Sequence, residues 1–375
     1  MNLEHQRVII TTGARSGLPI VVAVHSTALG PALGGCRLWH YPSWRDGLDD
    51  ALALSASMTF KCAVAGLPHG GGKTVIAAPP GARLDRRAAL LDVGEVVESL
   101  GGAYTVGPDV GTSSADMLTI AERTRHVGCR PESAGGTGDP GRHTATGALA
   151  AIRATCRHVF GTGDLHGRTV CVIGLGHVGG ALAEQLAAEG ARLTVTDIDP
   201  ARRPGAESIG ARWVEPDAAL AEPVDVLVPA ALGGLLTAET VPRLRCAAIA
   251  GPANNQLAAD TVAEDLHRLG ICWAPDYVVS AGAVVYVAHT ELHGASAGEA
   301  RARVAALDEL LTTVLHTARR QGISPHRAAR ELAAQRLDQS TVDTSPGSPA
   351  TARPPRPGPP AQDSPADRAA PAASP

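Results

Sequence analysis

The sequence predicts an α/β protein of two domains: an N-terminal α/β substrate domain and a doubly wound nucleotide-binding domain, with a cleft between them. Three observations carry this. From residue 169 onward, apolar strand-like runs alternate with helical patterns, the sign of a parallel sheet wrapped by helices. The run 170–173 passes directly into a G-x-G-x-x-G turn. Between the halves lies 133–147 (SAGGTGDPGRHTATG), rich in residues that break regular structure. The expected divisions are 1–135 for the substrate domain and 140–290 for the nucleotide domain. Helices over 291–338 should pack back on the first domain, and a Pro/Ala-rich tail over 340–375 is too poor in large apolar residues to fold.

Residues 8–10 and 20–25 are β-branched runs bounded by Gly and Pro, which predicts strands. A helix is expected over 46–60 with Asp46 as its N-cap. GLPHGGGKTVI (66–76) reads as a glycine-rich turn entering a strand. A helix over 86–100, a strand ending in the loop that carries Asp109, and a helix over 114–126 follow. Beyond the break come a helix over 144–159, strands at 225–229, 246–250 and 271–274, and a long helical stretch over 297–337.

Composition removes several classes of function. With 375 residues and 44% apolar content, the chain can bury two cores. A formal net charge of -4 favours neither nucleic acid nor membrane as partner, and no apolar run reaches 18 residues. The N-terminus lacks a signal-peptide pattern, and the seven scattered cysteines form no C-x-x-C, so reduced thiols and a cytoplasmic location are expected. No His, Cys and carboxylate set has metal spacing, so no metal is expected.

Of the 33 basic residues only two are lysines, Lys61 and Lys73, twelve positions apart. Arginine keeps its proton at any relevant pH, whereas lysine can give one up. A chain that uses arginine wherever charge alone is needed marks these two positions as chemical. The second marked site is the dinucleotide turn. Gly174 permits the tight turn, Gly176 lets the backbone approach a pyrophosphate, and Gly179 lets helix and strand pack closely. His177 and Val178 lie inside the turn. Asp197 ends the next strand 23 residues after the first glycine, where a carboxylate accepts ribose hydroxyls and repels a 2′-phosphate. This Rossmann-type context predicts NAD as the cofactor.

With these residues located, the chain resembles the Glu/Leu/Phe/Val dehydrogenase superfamily, most of all its valine and leucine branch. The resemblance rests on HSTALGPALGG (25–35), MTFK (58–61), GLPHGGGKTVI (66–76), PDVGTS (108–113), GLGHVGG (174–180), PAALGG (229–234), ANNQL (253–257) and APDYVVSAG (274–282), in the family's order. It implies an NAD-dependent deamination of an amino acid to the 2-oxo acid and ammonia, and a homo-oligomer. Lys61 would hold the substrate α-carboxylate, Lys73 would activate water, and Asp109 would exchange a proton with the substrate nitrogen. Thr144 and Asn254 would face the nicotinamide. Leu33, Gly34, Val284 and Val287 would line the side-chain pocket. Glutamate-specific members carry a lysine where Leu33 stands, so a small aliphatic substrate is implied, since an unpaired buried charge is costly.

The three glycines before Lys73 are expected to clear space for substrate and nicotinamide. Departures from the family pattern cluster in one segment. Ser280 and Ala283 replace the usual Asn and Gly, and 287–294 (VAHTELHG) is one residue longer and lacks the acidic residue that follows VA in relatives. These changes leave two further readings open: a dehydrogenase of an unusual amino acid, and a catalytically weak NAD-binding regulatory homologue. His69, His143 and His289 read as structural.

Overall fold

Two sheets carry the chain, and each follows from its own pattern of apolar residues. The computed structural model describes residues 4–231 and 233–343. In the first half come β1 (Arg7–Thr12), β2 (Pro19–Ser26), β3 (Ala32–His40), α1 (Trp44–Val64), β4 (Gly70–Ala78), α2 (Arg86–Glu98), β5 (Tyr104–Pro108) and α3 (Ser114–Ala121). The strand order is β1-β2-β4-β3-β5, with β3 parallel to both β4 and β5 and the hairpin β1–β2 antiparallel at one edge. The period of two along β2 divides the core. Ile20, Val22 and Val24 pack with Leu90, Val93, Val97, Met117 and Ile120 on one face, and Val21 and Ala23 join Ala51 and Val75 on the other.

Two expectations change here. The N-cap of α1 is Ser43, and Asp46 is the third helical residue, whose carboxylate accepts the Ser43 N–H at 3.0 Å. This reciprocal capping box starts the helix before the expected position. The triple glycine is no turn: Gly70, Gly71 and Gly72 are buried residues of β4 itself. A Cβ on Gly70 would lie 1.7 Å from the Ser26 carbonyl oxygen, one on Gly71 2.1 Å from the Thr59 nitrogen, and one on Gly72 2.6 Å from the Tyr104 ring. The glycines therefore let β4 lie against its neighbours and under α1, and the expected clearing for ligand is not their main reason.

The second half begins with α4 (Gly141–Phe160) and continues through β6 (Thr169–Ile173), α5 (His177–Ala188), β7 (Arg192–Thr196), α6 (Arg203–Ser208), β8 (Arg212–Trp213), α7 (Pro216–Ala219), β9 (Val224–Pro229), β10 (Cys246–Ile249), α8 (Thr261–Arg268) and β11 (Cys272–Trp273). The six strands are all parallel, in the order β11-β10-β9-β6-β7-β8. Strand order reverses at β6, and the crevice at that reversal is where doubly wound sheets bind dinucleotides.

After α9 (Asp276–Val279) and α10 (Gly282–Val287), a π-helical turn spans Ala288–Leu292. The expected single helical stretch is three helices: α11 (Ala297–Ala305), α12 (Leu307–Gln321) and α13 (Pro325–Asp343). Gly322 caps α12 in the left-handed conformation (φ +67°), and Pro325 opens α13. α13 returns to α1, where the Arg336 guanidinium donates to the Ala63 and Val64 carbonyls and Arg330 covers the Phe60 ring at 3.9 Å. Helix to Asp343 overrides the first four residues of the expected tail, and the rest of that tail lies outside the described residues, as does Leu232 of the PAALGG segment. Among the described residues, no helix is long and apolar enough to cross a membrane.

The packing on β4 is testable. Gly71→Ala drives a methyl into the α1 backbone and should cost about 3 kcal/mol of unfolding free energy in urea. Gly205→Ala, whose Cβ meets nothing within 4 Å, should be neutral or stabilise α6 by at most about 1 kcal/mol.

Candidate active site

Three parallel strands and one helix face build one wall of a cavity of about 530 Å³. β3 supplies Leu33, Gly34 and Gly35, β4 supplies Lys73, and the end of β5 leads to Asp109. Leu54, Ser57, Met58 and Lys61 reach the same cavity from α1, because spacings of three, four and seven residues share a helix face. A Cβ on Gly34 would fall 1.7 Å from the Gly72 carbonyl oxygen, and one on Gly35 2.7 Å from the Asp109 Cβ. These glycines bring Lys73 and Asp109 within bonding distance. The opposite wall comes from the second half, with Thr144, His177, Val178, Asn254, Ser280, Ala283, Val284 and Val287.

The Lys73 Nζ donates to Asp109 Oδ2 at 2.7 Å. Arg37 on β3, absent from the sequence reading, donates its Nε to the same oxygen at 2.9 Å. Burial would raise the Asp109 carboxyl, but the charges of Lys73 and Arg37 outweigh it and hold the group down at about 2. Lys61 is buried and donates to Asn254 Oδ1 at 2.9 Å, joining the two halves. Burial pushes its ammonium down to about 8, against the partial support of Asp276 and with the help of Lys73. Both of the chain's lysines thus lie buried on one cavity. Asn254, expected to face the nicotinamide, lies close enough to the first half to hold a lysine. Leu54 and Met58 could have been found from the i, i+3, i+4, i+7 spacing that ends on Lys61. The sign for Arg37 is weaker: an arginine two residues past a glycine pair, on a strand.

The dinucleotide turn stands at the switch point of the second sheet. Gly174 has φ +101°, and its Cβ would lie 2.7 Å from that of Ala231. A Cβ on Gly179 would lie 2.0 Å from the Gly174 carbonyl oxygen, so this glycine seats α5 against the strand. Gly176 faces open space, with nothing within 4 Å of a Cβ, at the N-terminus of α5 where backbone N–H groups are free for phosphate. Asp197 accepts the Leu175 N–H at 2.6 Å and the Asp199 N–H at 2.9 Å. Each of its oxygens thus accepts a backbone N–H, and the carboxylate braces the turn. This arrangement fits NAD.

The divergent segment is ordered by the π-turn. Val284 and Val287, on the helix before it, line the cavity. The turn at Ala288–Leu292 closes with i→i+5 bonding. It also brings Glu291 to accept the Cys129 N–H at 2.9 Å and the Thr137 N–H and hydroxyl, both at 2.6 Å. The acid missing directly after VA is followed by this one, which ties the segment to the loop between the halves. Ser280 Oγ donates to the Asp276 carbonyl at 2.6 Å and stands 3.3 Å from Asn254 Oδ1. His69 meets His293 Nε2 to Nε2 at 3.0 Å, and His143 stacks on Tyr286. Neither these histidines nor His289 lines the cavity. Among the described residues no group of three or more His, Cys, Asp or Glu is placed to hold a metal ion.

A nucleotide-binding switch point facing two buried lysines and a carboxylate is the design of an NAD-dependent amino-acid dehydrogenase. The comparisons agree. Residues 6–126 match the Glu/Leu/Phe/Val dehydrogenase dimerisation domain, and residues 202–344 match the Glutamate/Leucine/Phenylalanine/Valine dehydrogenase domain. Residues 143–240 match the NAD binding domain of D-isomer specific 2-hydroxyacid dehydrogenases. Leucine dehydrogenase of Bacillus cereus is 40% identical over 336 residues, 89% of this chain and 91% of that protein. Valine dehydrogenase of Streptomyces albus is 41% identical over 343 residues, 90% and 93% of the two. The crystal structure of L-tryptophan dehydrogenase from Nostoc punctiforme superposes with a TM-score of 0.75 at 34% identity, covering 90% of this chain and 97% of that one. The chain belongs to the Glu/Leu/Phe/Val dehydrogenase family.

Burial of Lys61 has a measurable cost. The folded chain binds this proton less tightly than the unfolded chain does, about 8 against the usual 10.5. At pH 7 the buried charge opposes folding, and the penalty fades as pH rises from 8 to 10.5. Lys61→Met should therefore unfold at higher urea at pH 7, by about 2 kcal/mol, with the advantage shrinking above pH 8.

Proposed function

We propose that the protein oxidises a branched-chain aliphatic L-amino acid of the valine or leucine type, with NAD, to the 2-oxo acid and ammonia, reversibly. The observation that carries this is the Lys73–Asp109 pair, bonded at 2.7 Å, in a cavity it shares with Lys61 and with the apolar side chains of Leu33, Leu54, Met58, Val284 and Val287. An aliphatic side chain is at home among those groups, whereas a second carboxylate there would lose its hydration without a partner.

In this reading the 174–179 turn and the N-terminus of α5 hold the pyrophosphate, and Asp197 takes the ribose hydroxyls. Thr144, His177, Val178 and Asn254 lie toward the nicotinamide. Bound NAD supplies the hydride acceptor for the substrate Cα. Lys61, protonated, fixes the α-carboxylate. Lys73, as the free amine, takes a proton from water while that water attacks the substrate iminium carbon. Asp109 passes that proton from Lys73 to the departing nitrogen over their short contact, and Lys73, a free amine again, accepts the hydroxyl proton as the C–N bond breaks and the carbonyl forms. One amino acid, one NAD⁺ and one water thus give one 2-oxo acid, one ammonium ion, NADH and one proton.

Two coarser features join this proposal. A homo-oligomer is supported by the match to a dimerisation domain and by the open edge strand β1, with Ile10 exposed. A cytoplasmic location is supported by seven unpaired cysteines, five of them buried.

The test is a panel of L-amino acids with NAD at alkaline pH, followed by the absorbance of reduced nicotinamide. Valine, leucine and isoleucine should turn over, with preferences that differ by about 1–3 kcal/mol per methylene. Activity confined to aromatic or cyclic substrates, or NAD binding with no turnover on the whole panel, would overturn the reading. Lys73→Arg should lower kcat at least about 10³-fold and leave the Kd for NAD unchanged, because arginine keeps the charge but not the proton exchange.

A further inference from the structure

Among the described residues Arg37 is the one arginine bonded to Asp109. It lies on β3, two residues beyond Gly35, and its guanidinium spans two acids. Nε donates to Asp109 Oδ2 at 2.9 Å and Nη1 donates to Asp50 Oδ2 at 2.8 Å. Asp50, on α1, is bonded in turn by the Tyr41 hydroxyl. The far end of the guanidinium is thereby fixed, and the near end meets Asp109 from one direction only. Both Arg37 and Lys73 use Oδ2, while Oδ1 accepts no hydrogen bond from the described residues. One oxygen of Asp109 is thus anchored and the other left for substrate or water.

The charges around this point decide what the anchor does. With Lys73 protonated, Lys73 and Asp109 alone would form a neutral pair, and a neutral ion pair resists losing its proton. Arg37 adds a positive charge that does not titrate and that bonds Asp109 directly, with Asp50 offsetting it only from the far side, so the pair gives up a proton more readily than it would alone. The other groups facing the cluster are Lys61 on α1, Asp50 and Tyr41 beyond the guanidinium, the Tyr104 phenol on β5, which burial pushes up and keeps neutral, and the Cys36 thiol on β3. Burial pushes that thiol up to about 12, so it stays neutral. The Arg86–Asp116 pair on α2 and α3 compensates itself, Nη2 to Oδ2 at 2.6 Å.

We propose that Arg37 is a positioning residue of the reaction. It holds Asp109 by Oδ2 and supplies the permanent charge that lets the Lys73–Asp109 pair release a proton at working pH. This rests on the reading of Lys73 and Asp109 as the proton carriers, and it assigns to a third side chain the setting of the pH at which they work.

Arg37→Gln, assayed for deamination from pH 7 to 11, is the test. The expected result is a loss of kcat of about 10–100-fold near neutral pH, with the KM for NAD unchanged. The rising limb of kcat/KM should move about one unit to higher pH, so that the deficit narrows in alkali. Arg37→Lys, which keeps a charge but loses the fork, should restore the limb more than the rate. An even loss at every pH, or no loss, would overturn the proposal. If Arg37→Gln does not fold, Asp50→Asn removes the negative charge that offsets the guanidinium and should move the limb to lower pH; a limb that stays put or moves up there overturns the proposal equally. Asp109→Asn separates the two levels. An active Asp109→Asn enzyme removes the reading of the site itself, whereas an inactive one beside a normal Arg37→Gln removes only the role of Arg37.

Discussion

Two lysine side chains are buried on one cavity with the Asp109 carboxylate beside them, and much of the structure exists to tolerate that arrangement. An isolated buried charge is unstable unless it is paired or gives up its proton. Lys73 is paired, with Asp109, and Lys61 is held by a neutral amide oxygen across the cavity and loses its proton more easily for being buried. The close approach of β3, β4 and β5 makes the pair possible. It is purchased with glycine: Gly34 and Gly35 leave no side chain between β3 and the backbones that carry Lys73 and Asp109, and Gly70–Gly72 let β4 lie against β2, α1 and Tyr104.

Besides the return of α13 onto α1, side-chain bonds tie the second half to the first. Asn254 reaches Lys61, and Glu291 gathers the loop that joins the halves through three donors. Gly282 packs so closely on α4 that a Cβ would lie 2.1 Å from the His143 carbonyl oxygen. The segment that carries Val284 and Val287 is therefore fixed to the helix leading into the nucleotide domain, and a π-turn follows it.

Much of this was legible in the sequence, for definite reasons. The parallel sheet and its switch point follow from alternating patterns and from three glycines, each of which has a distinct steric task in the structure. The two lysines were conspicuous against a background of arginine, and both are buried on the cavity. Other features were hidden because they are properties of packing in three dimensions. A run of glycines reads as a turn until α1 is seen lying on it. Asp46 and Ser43 both suit a helix start, and only their reciprocal bonds tell cap from third residue. The breaks at Ala306 and Gly322 vanish within a helical composition. Arg37 was one of 31 arginines, and nothing local distinguishes it until β3 and β5 bring it to Asp109.

The central claim is that a neutral amine at position 73 takes the proton from water. Chemical rescue of Lys73→Ala by added primary amines tests it most directly. The account predicts that deamination returns in proportion to the concentration of free amine, rising with amine basicity among amines of equal size. Failure of every amine to restore turnover, in a variant that still folds and binds NAD, would contradict it.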